Sequence, residues 1–205
     1  TPLASGPPPR EVTGGTTTLP AVSDPLIARL APSLVHLTFD MPFAISGITD
    51  RNYHGTGLLV DAERGLVVTD RNTVPVSLGD VRLTFGGTLE IPGKVEFVHP
   101  LHNLAVVSSD PRLIGKTPMR AARLDPRPLQ LGQAVTVIGM DGQGDLRSRA
   151  TTVSAIEPIT LPLTRTMRFR ESNLEAVQLL NPPTEFDGVI VGSDGAVRAL
   201  WSSFS

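Results

Sequence analysis

The pattern that most constrains this chain is a series of short apolar-alternating runs separated by turn signals. Glycine- or proline-containing stretches such as "ERG", "FGG", "HPLHN", "MDGQGD" and "GSDG" lie between the runs. No segment has the long 3.6-residue periodicity of a central helix. The runs occupy residues 55–60, 65–69, 80–85, 94–98, 103–108, 134–139, 149–156, 174–180, 187–191 and 196–201. Many short strands with such turns predict an all-β sandwich or barrels.

A proline- and arginine-rich stretch, residues 111–130, interrupts the strand pattern near its middle. It predicts two β lobes, at about residues 33–110 and 130–205. Residues 1–20 are rich in Pro, Gly and Thr and poor in large apolar side chains, so we expect a linker there. Residues 21–205 are then the folded domain.

A short helix is expected before the first strand. Ser23 or Asp24 can cap it with Pro25 in its first turn, and Pro32 ends it. Strands of barrels bury alternating side chains. The candidate core positions are Val95, Phe97, Leu104, Val106, Val135, Val137, Val177, Leu179 and Val197.

Composition excludes several classes of protein. The chain has no cysteine, which excludes a disulfide scaffold, a thiolate metal site and a cysteine nucleophile. Its formal net charge of −2 gives no bulk electrostatic reason for a nucleic-acid or membrane-surface partner. No apolar run approaches the roughly 20 residues of a membrane span. Because the chain begins with Thr1 rather than Met, we expect it to be part of a longer protein.

Three motifs occur in the order found in one enzyme family. "GTGLLVDAERGLVVTDRNTV" at residues 55–74 resembles the glycine-rich strand and Thr-Asn-Ala-His-Val-Val loop of the HtrA (DegP-like) proteases. "HPLHNLAVVSSD" resembles their Asp-Pro-x-x-Asp-Leu-Ala strand, and "NPPTEFDGVIVGSDGAV" resembles their Asn-Pro-Gly-Asn-Ser-Gly-Gly-Pro-Leu-Val segment. The resemblance implies a trypsin-like fold of two six-stranded antiparallel β-barrels, with the short helix at the start.

The resemblance also identifies the positions of the catalytic triad, and all three are replaced. Asn72 stands where the family has its histidine, and Asn103 stands where it has its aspartate. The serine position is Phe186 without a gap, or Asp187 if Gly188 is matched to the first glycine. An amide accepts no proton near neutral pH, and neither residue at the third position supplies a hydroxyl. We therefore expect no catalytic residue at these positions and no cofactor or metal.

Other candidate residues favour structural roles. His36 lies in an alternating strand, His54 opens a hairpin, and His99 and His102 lie three apart on a turn without a further zinc ligand. Of the four, His102 is the nearest in sequence to Asn103. Ser193 lies in a turn between strands, where serine is common. Glu185 and Asp187 could form a carboxylate pair, but a solvated loop is the simpler interpretation.

A narrower resemblance concerns "VEFVHPLHNLAVVSSDPRLI", "FRESNLEAVQL" and "SDGAVRALW". These stretches look like the second, degenerate protease-like repeat of the fungal nuclear HtrA-type pro-apoptotic serine protease. That resemblance implies a nuclear setting and, as partners, the active protease half and PDZ-like domains of a parent serine endopeptidase. A homo-oligomer is compatible with it.

The expected function is therefore that of an inactive protease-like domain, serving as a scaffold or as a module that binds a partner or an extended peptide. Two alternatives remain open: a pure structural spacer, and a serine hydrolase with a rewired site. No nucleic acid or membrane partner is expected.

Overall fold

The computed structural model describes residues 14–42, 52–160 and 172–202, and this part of the chain is almost entirely β. It contains one helix, α1 (Pro25–Leu30), with 3-10 turns at Ala31–Ser33 and Pro111–Ile114. Its strands are β1 (Leu34–Asp40), β2 (Asn52–Asp61), β3 (Leu66–Thr69), β4 (Asp80–Phe85), β5 (Leu89–Val98), β6 (Ala105–Ser109), β7 (Ala134–Asp141), β8 (Leu146–Thr160), β9 (Ser172–Leu180), β10 (Phe186–Val191) and β11 (Val197–Trp201).

The first lobe is a closed antiparallel barrel of six strands in the order β1-β2-β3-β6-β5-β4. Strand β4 illustrates why it closes around a core, since Val81, Leu83 and Phe85 alternate with more exposed residues and point inward. Phe39 of β1 and Phe85 are among the largest fully buried side chains. Burying each such side chain contributes about 1.5–3 kcal/mol relative to leaving it exposed.

The second lobe is an antiparallel sheet of five strands in the order β11-β10-β7-β8-β9 among the described residues. The expected trypsin-like, nearly all-β fold class is confirmed, while the described second lobe has one strand fewer than the expected six. The sequence itself offers five apolar runs after residue 130, and each forms one strand. Register shifts after Val153 and Glu157 curve the long strand β8, as bulges do.

The lobes share a hydrophobic cluster that joins them and α1. Leu34 and Leu58 of the barrel pack with Ile138 and Val189 of the second sheet in this cluster. Helix α1 adds its buried residues to the same cluster. The interface is therefore a packed core, and side chains that end in it hold fixed positions.

The chain before β1 follows the expected pattern in part. Asp24 caps α1, since its Oδ1 accepts from the Leu26 N–H at 2.8 Å. The predicted linker overlaps the described residues at 14–20, which lie against the barrel. There Gly15 donates its N–H to the Leu113 carbonyl at 2.9 Å, and Thr17 donates its N–H to Thr117 Oγ1 at 3.1 Å. Residues 1–13 lie outside the described residues.

The predicted core positions are correct in the second lobe and shifted in the first. Val135, Val137, Leu179 and Val197 are buried, and the partly buried Val177 packs against the cluster that contains the first three. In β6 the inward residues are Ala105 and Val107, one position from the predicted Leu104 and Val106. In β5 the predicted Val95 packs partly buried against the barrel core, whereas Phe97 is 46% exposed. The pairing register shifts between these two residues, and a bulge of this kind reverses the side-chain phase.

Among the described residues, no helix has both the length and the apolar character needed to cross a membrane.

Candidate functional site

The loop after β3 is built on a buried aspartate. Asp70 is 4% exposed, and its Oδ1 accepts from the Thr73 N–H at 2.7 Å, while its carbonyl accepts from the Val74 N–H at 3.1 Å. An aspartate that binds backbone groups a few residues ahead stabilises such a tight turn. The turn leaves Asn72 at the surface, facing the second lobe.

The loop before β6 is tied to this turn through Asn103. Its side-chain Oδ1 accepts from the Arg71 N–H at 2.7 Å. The amide therefore uses its oxygen to join two loops of the barrel, and its Nδ2 is directed at the second lobe.

A serine from the second lobe bridges the two amides. Ser202 follows β11, and its Oγ accepts from Asn72 Nδ2 at 3.0 Å and from Asn103 Nδ2 at 3.1 Å. The hydroxyl also hydrogen-bonds the Asp70 carboxyl. Ser202 thus brings together the first two predicted positions at the interface between the lobes.

The third predicted position is split between the two faces of β10. Phe186 packs inside the second lobe with Leu129, Val137 and their neighbours. Because successive residues of a strand face opposite sides, Asp187 points toward the barrel. A Cβ at Gly55 would overlap the Thr73 hydroxyl and lie 2.7 Å from Asp187 Oδ2. Residue 55 must therefore be glycine for Asp187 to approach the turn that contains Asp70 and Thr73 this closely.

The main chain also fixes Asp187 against the barrel. Thr56, buried in β2, donates its hydroxyl to the Asp187 carbonyl at 2.8 Å and accepts from the Met140 N–H at 2.8 Å. The backbone of residue 187 is therefore tied to the barrel, and its side chain starts from a fixed Cα beside the turn.

The carboxyl groups of Asp70 and Asp187 lie close together in this partly buried site. Burial and, after it, repulsion from Asp70 raise the pKa of Asp187 to about 7. Burial also raises the pKa of Asp70, while hydrogen bonds from Thr73 and Ser202 act to lower it. Like charges in a low-dielectric site resist simultaneous ionisation, so a proton near Asp187 is favoured up to neutral pH.

The predicted candidate residues thus fall into two groups. Asn72, Asn103 and Asp187 come together at one interfacial site, and Phe186 lies in the core beside it. Sequence reasoning missed Asp70 and Ser202. The Asp at the start of the "DRNT" turn was a usable signal for the first, whereas the serine after β11 carries no signal without the fold.

The histidines form two stacked pairs. The rings of His36 and His54 have centroids 6.1 Å apart, and those of His99 and His102 are 4.5 Å apart. Nδ1 of His99 accepts backbone N–H groups from Leu101 and His102 at 3.1 and 2.9 Å, which shapes the turn before Asn103.

The remaining candidates lie apart from the interfacial carboxyls. Glu185 accepts from Arg149 at 2.9 Å on the surface, so it does not form the carboxylate pair with Asp187 that the sequence allowed. Ser193 is exposed in the β10–β11 turn. Within the described ranges, no group of three or more potential ligands is arranged to hold a metal ion.

The chain is similar in sequence to several fungal proteins. It is 36% identical over 185 residues to "Pro-apoptotic serine protease NMA111" of Pyricularia oryzae, a match that covers 89% of this chain and 18% of that protein. It is 34% identical over 176 residues to "PDZ domain-containing protein C23G3.12c" of Schizosaccharomyces pombe, covering 85% of this chain and 18% of that protein. The chain spans about a fifth of the length of these relatives. No protein-family model matches it.

Solved structures share the fold at low sequence identity. The active form of the Rv3671c protease from M. tuberculosis superposes with a TM-score of 0.65 at 16% identity, over 96% of this chain and 80% of that one. Deg5 superposes with a TM-score of 0.59 at 17% identity, over 84% and 80%. The HtrA-type protease AlgW, in its S227A form with a tripeptide, gives a TM-score of 0.61 at 17% identity over 84% and 51%. The chain is therefore a homologue of one segment of the fungal proteins named pro-apoptotic serine protease NMA111, and it has the fold of an HtrA-type protease domain.

Proposed function

We propose that this domain is a catalytically inactive protease-like module, acting as a scaffold or a peptide- or partner-binding unit within a larger HtrA-type serine endopeptidase. The observation that carries the proposal is the bonding of Ser202, whose hydroxyl accepts from the amides of both Asn72 and Asn103. The two amides stand at positions that resemble the histidine and aspartate of a catalytic triad, and here they link the two lobes through Ser202.

Peptide hydrolysis by the serine-protease mechanism requires a hydroxyl with an available lone pair, a base that takes its proton and a group that orients the base. The Ser202 oxygen has both lone pairs engaged by amide N–H groups, and its own proton is directed at Asp70. Neither amide can act as a base. This arrangement favours an inert, fully bonded hydroxyl over a nucleophile.

The rewired hydrolase draws its support from the raised pKa of Asp187, because a carboxyl that titrates near neutral pH suits general acid–base catalysis. The groups around that carboxyl argue against this alternative, because none of them is an available nucleophile. Asp187 faces Asp70 and Thr73, but the hydroxyl of Thr73 is fully buried, and the hydroxyl of Ser202 is already committed to three hydrogen bonds.

A peptide-binding role is supported by the edge of the second sheet. Strand β11 lies at that edge, and among the described residues only the segment at Leu124 pairs with its outer side, opposite Val197. The part of β11 from Ala199 to Trp201 leads directly to Ser202. An extended peptide adds to such an edge through backbone hydrogen bonds, which need no catalytic residue.

The first test is turnover by the purified chain. We expect no cleavage of casein or of a labelled peptide, and cleavage that is lost on Ser202→Ala or Asp187→Asn would establish the rewired hydrolase in its place.

The second test separates peptide binding from a spacer. Asn72→Trp places a bulky side chain at the exposed rim of the site, and Ser77→Trp places the same side chain at an exposed position of the same loop. In the full-length protein, we expect deletion of residues 24–205 to reduce assembly or substrate turnover by the active half. Asn72→Ala removes the same hydrogen bond to Ser202 without adding bulk. If Asn72→Trp reproduces that loss while Asn72→Ala and Ser77→Trp do not, the site binds peptide; if none of the three does, the domain is a spacer.

The setting of the module is inferred from its relatives. We propose that its partners are the active protease half and PDZ-like domains of the same parent chain, in a nuclear protein. The names of two fungal relatives, a pro-apoptotic serine protease and a PDZ domain-containing protein, support the protease and PDZ-like parts of this proposal. Fluorescence microscopy of the tagged full-length protein tests the nuclear location.

A further inference from the structure

Arginines from three separate parts of the chain converge on the β10–β11 turn. Arg29 of α1 and Arg123 of the inter-lobe connector both donate to the Asp194 carbonyl, at 3.2 and 2.7 Å. Arg127 lies 3.6 Å from the Asp194 carboxylate, and Arg198 of β11 lies 3.9 Å from it. We call these four residues the arginine cluster.

The carboxylates present do not balance the cluster. Asp125 pairs with Arg198 at 2.9 Å in a site where both side chains are about nine-tenths buried. Of the other three arginines, Arg123 and Arg127 have 64% and 70% of their side chains exposed, and Asp194 is the remaining carboxylate. Within the part of the chain that the structure describes, two carboxylates pair with these four guanidinium groups, which leaves an excess of two positive charges in a chain whose formal net charge is −2.

The exposed guanidinium groups of Arg123 and Arg127 also have N–H donors that their contacts with Asp125 and Asp194 do not use. Contacts with Asp125 and Asp194 use two of the three nitrogens of Arg127 and one of those of Arg123. A guanidinium carries five N–H donors in a planar fork that matches a carboxylate. Each group can therefore bind an additional carboxylate while it keeps its present partner.

We propose that the arginine cluster is a docking surface for an acidic segment of polypeptide, one that presents several carboxylates beside an apolar side chain. Leu124 supplies the apolar element, because it lies between Arg123 and Asp125 in sequence and is 56% exposed. Its backbone is held in place by an isolated bridge to Val197. Carboxylates on both sides of one leucine-sized side chain would match this spacing.

The extent of the surface favours peptide over nucleic acid. Binding to duplex DNA rests on many phosphate contacts along a basic stripe, whereas this excess of charge is confined to one turn and its neighbours. The surface is also separate from the interfacial site. Arg198 is near the start of β11 and Ser202 follows its end, about 13 Å away at the usual rise of a strand.

The test uses a fluorescein-labelled peptide of about ten residues, made of glutamates around one leucine, and measures anisotropy at about 50 mM salt. The native chain is compared with Arg123→Gln/Arg127→Gln. Arg64→Gln/Lys94→Gln removes the same charge from exposed positions on the barrel. A peptide with glutamine in place of glutamate reports binding that needs no charge.

We expect the cluster variant to weaken binding at least tenfold and the barrel variant to change it less than threefold. Asp194→Asn removes the internal competitor but keeps the Oδ1 that accepts from the Ala196 N–H, so it is expected to tighten binding about threefold. This second variant tests the surface even if the double variant proves unstable in thermal unfolding.

Three results would overturn the proposal: no binding of the glutamate peptide to the native chain, equal loss in both double variants, or weaker binding after Asp194→Asn. Tighter binding of a DNA duplex of about 20 base pairs than of the peptide, in competition at the same salt, would assign the surface to nucleic acid and equally refute it.

Discussion

Asp187→Asn should stabilise the domain, and more so at high pH. The side chain lies between the lobes beside Asp70 and Thr73, and burial with repulsion raises the pKa of Asp187 to about 7 from an ordinary 3.8. In that pH range the folded chain holds a proton that the unfolded chain has lost. Stability is therefore lost as the pH rises from about 4 to about 7.

The size of the effect follows from the same two values. One decade in proton affinity corresponds to about 1.4 kcal/mol, so the ionised Asp187 costs the fold up to about 4 kcal/mol at pH 8. At about pH 4.5 the cost falls to about 1 kcal/mol by the same relation. Asparagine keeps the size of the side chain and carries no charge, so it removes the cost at both values.

Chemical denaturation of wild type and variant at both pH values measures the difference. A comparison at each pH is needed because His36 acts in the opposite direction: burial, aided by His54, lowers its pKa, so its contribution to stability is lost as the pH falls through about 6.5. Glu63→Gln, the same chemical change on an exposed turn, is the control and should have little effect at either pH. A gain for Asp187→Asn that is equal at pH 4.5 and 8, or a loss at pH 8, would refute the reasoning.

Four further changes test other parts of the structure. Phe186→Ser, combined with histidine and aspartate at the two amide positions, should cost about 3–5 kcal/mol in denaturant unfolding and restore no peptidase activity, because residue 186 faces the core of the second lobe. Gly55→Ala should destabilise by about 1–3 kcal/mol, since the new methyl group overlaps a buried threonine hydroxyl; an unchanged unfolding midpoint would contradict the packing described. Asp24→Ala should cost about 1 kcal/mol through loss of the cap of α1, with Asp24→Asn losing much less. His36→Gln should flatten the fall in stability below about pH 6.5, and an unchanged acid limb of the stability profile would show that the ring does not titrate as inferred.

The order of the β elements could be predicted from sequence because period-two alternation and turn residues are local signals. Each predicted run falls in or overlaps a strand, and the cap and end of α1 lie where Asp24 and Pro32 indicate. Which residues of a strand face the core was predicted less well where the strand contains a bulge. The register shift after Val95 exposes Phe97, and no local pattern announces a bulge of that kind.

The motifs singled out positions along the sequence but predicted none of the contacts that the side chains at those positions make. Motif order identified Asn72 and Asn103, yet the residue that joins them, Ser202, is 99 or more positions away and comes from the other lobe. Phe186 and Asp187 were interchangeable in the sequence comparison. The strand settles which of them faces the barrel, because adjacent residues of β10 point to opposite sides.

These contacts bear on what it would take to make the site catalytic. Asn103 uses its oxygen to hold the Arg71 N–H and its nitrogen to hold Ser202, and Asn72 adds a second bond to the same hydroxyl. Aspartate at residue 103 keeps the first bond but loses the donor for the second. Histidine at residue 72 removes the other amide, so both bonds across the lobes change together. A variant designed to carry a catalytic triad at these positions would thus weaken the junction that positions its own parts.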